Sequence, residues 1–106
     1  MLDKTYVYVF VRKDLPLTDQ VVQAAHAALE AGIVFGAVSK EPSSLIMLTV
    51  PDAESLHRAK AHCEYCGIRS EMFFEPDWNY GHTAFATEPL IQSERHFLKG
   101  FPLWKP

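Results

Sequence analysis

The chain has 106 residues, enough for one compact domain and hardly for two, and 48% of them are apolar, which supplies a single ordinary core. Charged residues make up 22% and the formal net charge is -3, so a polyanion would have to find a local basic patch, and tight, sequence-blind nucleic-acid binding is disfavoured. No segment has the unbroken apolar length of a membrane span, "MLDKTYVYVF" shows no basic leader or cleavable apolar region, and Cys63 and Cys66 alone cannot build the disulfide framework of a small secreted domain.

These features predict a soluble, cytoplasmic protein in a reducing compartment, with no membrane partner. The first element, "YVYVFVR" (residues 6–12), alternates Tyr6, Tyr8 and Phe10 with three valines, so both faces are apolar and the pattern predicts a central strand covered on both sides. "KDLPLTD" then carries Pro16 and the capping residues Thr18 and Asp19, which predict a loop and a helix over about residues 19–35. Val22, Ala25, Leu29 and Ile33 recur at spacings of three and four and form the stripe expected to lie on the sheet. After the polar connection "AVSKEPSS", the run "LIMLTV" (residues 45–50) has strand length and ends at Pro51.

Pro51 and Asp52 then open a second helix, which Gly67 follows, with Leu56, Ala59 and Cys63 on one face. "IRSEMFFE" reads as a strand, "PDWNYG" as a turn-rich loop and "HTAFATEP" as a strand with Thr83, Phe85 and Thr87 on alternate positions. The tail over residues 90–106 opens with a short helical pattern, and Phe101, Leu103 and Trp104 are expected to pack back on the domain. The order β-α-β-α-β-β-α predicts a single α/β domain over residues 1–106, a three-layer α/β/α sandwich around a four-stranded mixed sheet.

Several groups of residues bear chemistry. "HCEYC" has the C-x-x-C spacing of half a zinc site or a redox couple, but no second ligand pair accompanies it and it sits at a helix end, so two partly buried thiols are the simpler reading. His57 and His62, five apart, read as solvated, as does the small basic cluster Arg95, His96 and Lys99. The loop "FFEPDWNYGHT" concentrates Glu75, Asp77, Asn79, Tyr80, His82 and Thr83 at strand ends, where α/β folds often place catalysis; a solvated hairpin bonding its own backbone fits the same composition. Gln23 and His26, three apart on the first helix, either neighbour each other in a site or satisfy nearby backbone groups. No Ser-His-Asp order, glycine-rich phosphate loop or paired metal carboxylates appears, so neither metal nor cofactor is expected.

Several stretches agree in order, spacing and residue types with one family. "VRKDL" (residues 11–15) stands where that family has R-x-D-L, "VVQAAHA" (21–27) where it has A-A-Q-x-x-H-A, and "LTVPDAESL" (48–56) where its second helix begins P-D-E-x-x-L. "CGIRSEMFFEPD" (66–77) stands at its G-L-P bend, strand and D-A-G, and "TAFATEP" (83–89) at its T-V-L-G-I-G-P. On these residues the chain resembles the type II peptidyl-tRNA hydrolase family, the archaeal and eukaryotic kind, from about residue 6 to 89. The resemblance implies metal-independent hydrolysis of the ester between a peptide and the terminal ribose of tRNA, with Gln23, His26, Asp77 and Thr83 on the polar active-site positions. Asp77 would orient or activate water, Thr83 would hydrogen-bond the ester or ribose, and Gln23 with His26 would hold that network.

The chain also departs from the family. Asp19 stands four residues before Gln23, where the family has a lysine, and this reverses the local field at a place that would serve a phosphate or a developing oxyanion. Lys13 or Arg12 is the candidate substitute for that charge. The segment "DWNYG" replaces D-A-G-R-T, adding Trp78 and Tyr80 beside Asn79 as candidate substrate-binding residues. A rival reading is therefore a non-catalytic member of the fold that binds a nucleotide, an RNA end or a small ligand in the same cleft, with the aromatic rings stacking a base. A third is a homodimer joined through the apolar tail or an edge strand.

Overall fold

A computed structural model describes residues 4–36 and 41–106; part of the connection expected over residues 37–44 lies outside them. The doubly apolar first segment becomes β1 (Tyr6–Arg12), and it is central as expected. It pairs in parallel with β2 (Ser44–Val50) and antiparallel with β4 (Gly81–Thr87), whose other side pairs antiparallel with β3 (Ser70–Glu75). The mixed sheet has the order β2-β1-β4-β3.

The alternation within β1 sorts its side chains between two cores. Tyr8 and Phe10 join Leu48, Val50 and Phe85 under Leu56, Ala59 and Cys63 of helix α2 (Ala53–Tyr65). Val9 and Val11 join Ala84 and Ala86 under Ala24, Ala27 and Ala31 of helix α1 (Leu17–Phe35). The fold is thus a mixed α/β arrangement with a helix on each face of a four-stranded sheet.

Helix α2 begins as its sequence indicates: the Asp52 carboxylate accepts the Ser55 amide hydrogen at 2.8 Å, satisfying one of the free donors of the first turn. Helix α1 begins earlier than expected, at Leu17, with Pro16 in the capping position and no side-chain cap. The fixed φ of Pro16, -54°, suits the approach to a helix, and Asp19 is used elsewhere.

The expected buried stripe of α1 is also corrected. Val22, Ala25, Leu29 and Ile33 face solvent, and the buried positions are Gln20, Gln23, Ala24, Ala27 and Ala31. The buried face lies about 170° around the helix from the expected one, nearly opposite it. Alanine on this face lets the helix lie close to Ala84 and Ala86, and the two glutamines have polar partners that make their burial tolerable.

The tail does return to the domain. After a 3₁₀ helix (Gln92–Leu98), the Thr49 amide donates to the Pro102 carbonyl at 2.9 Å and the Trp104 amide to the Met47 carbonyl at 2.8 Å, so the tail covers part of the outer edge of β2. Phe101 and Trp104 pack against the two cores, whereas Leu103, expected to be covered, points into solvent because its bridge to Leu48 is made by backbone.

Candidate functional site

The ends of β1, β2 and β3 and the start of β4 gather at one end of the sheet. There β3 and β4 slip register: Phe73 stands opposite Ala84 and Phe74 opposite His82, which leaves Thr83 unopposed. A bulge of this kind re-aims a side chain. Simple alternation would put Thr83 with Phe85 on the α2 side; instead its hydroxyl reaches α1 and donates to Gln23 Oε1 at 2.6 Å. Gln23 Nε2 in turn donates to Glu75 Oε1 at 3.3 Å. Thr83 is 0% and Gln23 1% exposed, so this chain of hydrogen bonds is sealed from water apart from its Glu75 end.

Two of the four expected catalytic residues therefore meet, and two do not. His26 is exposed and stacks on the Phe73 ring, with centroids 4.6 Å apart and planes 5° from parallel. Three residues along a helix is about 300° of rotation, and with Gln23 turned inward this carries His26 to the border of the helix. Asp77 lies exposed in a 3₁₀ turn (Asp77–Asn79). Trp78 and Asn79 take left-handed backbone conformations with φ of 53° and 58°. Asn tolerates that region, but for a Trp it is strained, and such strain concentrates at functional loops.

Tyr80 is tied down: its hydroxyl donates to Asp19 Oδ2 at 2.6 Å, which with burial raises the phenol above its ordinary pKa. The carboxylate standing where a lysine was expected thus anchors the loop to α1. Trp78 is exposed, its ring centroid 5.5 Å from that of Tyr80.

Arg12 does reach this loop. Its Nη1 donates to the carbonyls of Tyr80 at 2.7 Å and His82 at 3.2 Å, while Nε and Nη2 grip both oxygens of Asp14 at 2.9 Å. The paired carboxylate raises the guanidinium pKa further, and most of its donors are spent on structure. Lys13, exposed after β1, instead lines a cavity of about 460 Å³ between the end of β2, α2 and the tail. That cavity also meets Thr49, Ser55, Arg58, His62 and Phe101, and no carboxylate is among its lining residues.

The location of the cavity follows from topology. β1 and β2 are parallel neighbours, and the helices that follow them leave to opposite faces of the sheet. The carboxyl ends of such a strand pair diverge into a crevice, the usual ligand position in open α/β sheets. Outside the cavity lining, His57 Nε2 of α2 and His82 Nδ1 of β4 stand 3.1 Å apart. Burial first, and the facing His57 second, lower the pKa of His82.

Two contributing residues escaped sequence reasoning. Gln20 was not singled out, yet it donates to the carbonyls of Lys13 and Leu15 and accepts from Trp104 Nε1 at 2.9 Å, pinning the tail to the site end. His57 is exposed, as expected, and its ring also reaches His82 of β4. A signal for Gln20 existed in its spacing of three from Gln23; nothing in the sequence paired His57 with His82. Burial pushes the Cys63 thiol up to about 12, so it is an inert core group, and Cys66 Sγ lies 3.7 Å from His62 Nε2. Among the described residues, no three His, Cys, Asp or Glu side chains gather to hold a metal, and no helix is long and apolar enough to cross a membrane.

No protein-family model and no curated protein matches this chain. A solved structure of a protein of unknown function from Agrobacterium tumefaciens is similar to it at a TM-score of 0.72 and 14% identity, with 99% of this chain and 100% of that one covered. At that identity the likeness concerns the fold alone.

Proposed function

We propose that the chain is a ligand-binding protein of the type II peptidyl-tRNA hydrolase-like kind, taking a nucleotide or another small phosphate-bearing ligand at the carboxyl ends of β1 and β2. The observation that carries this reading is the cavity of about 460 Å³ at the strand divergence, with Lys13, Arg58 and His62 in its wall and no lining carboxylate. Its size falls among small-molecule pockets, and its apolar surfaces with Lys13 and Arg58, the latter paired to Glu54 at 2.8 Å, suit a ring-bearing anion. The Thr83–Gln23 pair, by contrast, is closed, and the carboxylates of Glu75, bonded to Gln23, and of Asp19, bonded to Tyr80, repel a tRNA backbone. The reading places the protein in the cytoplasm, where both cysteines stay reduced.

AMP titrated against intrinsic fluorescence tests it. Binding at sub-millimolar AMP that weakens at least tenfold in both Lys13→Ala and Arg58→Ala supports the reading; unchanged affinity in both variants removes the cavity from it. Ester hydrolysis is the second reading, favoured by the short Thr83–Gln23 bond, which holds both polar side chains in one orientation at the site end. Release of peptide from peptidyl-tRNA, lost in Asp77→Ala and Thr83→Ala, would establish it; no turnover at micromolar protein excludes it.

A further inference from the structure

The outer face of α1 is built unlike any solvated helix surface in this chain. None of its exposed positions is Asp, Glu, Lys or Arg, and along it run Val21, Val22, Ala25, Leu29 and Ile33. Leu29 is 61% and Ile33 71% exposed. Helix α2, of comparable exposure, presents Glu54, Arg58 and Glu64. Water-facing surfaces normally carry charge at about a quarter to a third of positions, and depletion of charge is the compositional mark of an interface core. We propose that this face of α1 is covered by α1 of a second copy of the chain, in an antiparallel, two-fold symmetric pair centred on Ala25.

The geometry is self-complementary. Val21, Val22, Ala25, His26 and Leu29 bound a shallow groove of about 290 Å³. Leu29 lies four residues after Ala25 and Val21 four before it, so in an antiparallel pairing Leu29 of each copy enters the groove beside Val21 and Val22 of the other, as a two-fold contact requires. Ala25 at the crossing lets the helix axes approach to about 8–10 Å. The exposed apolar surface of this face is on the order of 500 Å² per copy. Two copies thus bury roughly 1,000 Å² from the helices alone, the size at which specific association begins. A membrane surface is a poorer occupant, because interfacial helices flank their apolar side with cations, and this face has none. The tail, one of the surfaces expected from sequence for self-association, is itself engaged along the edge of β2.

Sedimentation and cross-linking decide the matter without reference to the ligand reading. Wild-type protein at tens of micromolar is expected to sediment at twice its 12.0 kDa chain mass, and Leu29→Glu, at an exposed position, at the single mass with an unchanged circular dichroism spectrum. In a Cys66→Ser background, Ala25→Cys should form a covalent dimer on mild oxidation, because facing Cα atoms at such a crossing stand about 4–6 Å apart. Ala61→Cys on the exposed side of α2 should not. A monomeric wild type, or a dimer that survives Leu29→Glu with no Ala25→Cys cross-link, overturns the proposal.

Discussion

On the α2 side of the sheet Phe10 and Phe85 stack with ring centroids 4.4 Å apart and are closed over by Leu56, Ile68 and Leu98, whereas the apolar residues that α1 buries against the same strands are Ala24, Ala27 and Ala31. Large rings exclude water over much area per residue and so dominate stability. Small residues contribute less area, but they bring backbone close to backbone, and in that narrow space a glutamine amide can span from helix to sheet. The stable face and the polar face of the sheet are therefore different faces. One is fixed by volume and the other by hydrogen-bond partners.

The comparison breaks first if Phe10 matters little. Phe10 is fully buried, stacked on Phe85 and met edge-on by Phe101 at 5.0 Å, so Phe10→Ala should cost about 3–5 kcal/mol in urea unfolding. A loss below 1 kcal/mol would mean that the ring side of the sheet does not carry the stability. Next in size is Thr83→Val, which keeps the shape and leaves Gln23 Oε1 buried without its donor, at about 1–3 kcal/mol. Adding Gln23→Leu should return part of that loss, since both polar partners are then gone; strictly additive effects would show that the bond is not what the site depends on.

A smaller effect is expected at the Arg12 clamp. Arg12→Ala removes the donors to the Tyr80 and His82 carbonyls without touching either core. Amide exchange at Tyr80, whose N–H is held by the Asp77 carbonyl, should then quicken about tenfold, close to 1.4 kcal/mol of local stability. Exchange that quickens equally in β1 and β2 would place the effect on the whole fold instead.

What could be read in the sequence divides along the same line. β1, its burial on both faces, and the start of α2 at Asp52 were legible because each rests on local pattern: alternation, a capping carboxylate, a proline. The pairing of Gln23 with Thr83 was anticipated by resemblance, and the bulge that makes it reachable was not, since an unopposed residue depends on the partner strand. The orientation of α1 was misjudged for a related reason. Its valines and leucine outweigh its alanines on any hydrophobicity count, yet the sheet offered Ala84 and Ala86, which complement alanine, and Thr83, which complements glutamine. Burial there was decided by fit across the interface, and the apolar stripe was left facing outward.

The smallest expected effect concerns pH, and it tests whether the two faces meet at the site end. His82, on β4, shares a hydrogen bond with His57, on α2, and burial together with that neighbour lowers its pKa below the ordinary 6.5. Above pH 6.5 the ring is neutral whether the chain is folded or not, and it adds no pH dependence. As the pH falls below 6.5 the unfolded chain takes up a proton that the folded chain resists, so stability falls until the folded pKa is passed and then levels off. The slope of Tm between pH 7 and pH 5 should thus be steeper in the wild type than in His82→Gln, which keeps a polar side chain but does not titrate. His57→Gln should recover part of the difference, because His57 is the lesser of the two causes. Identical slopes in all three proteins would show that α2 and β4 are not electrostatically joined there, and that the loop carrying Asp77 is held by Arg12 and Asp19 alone.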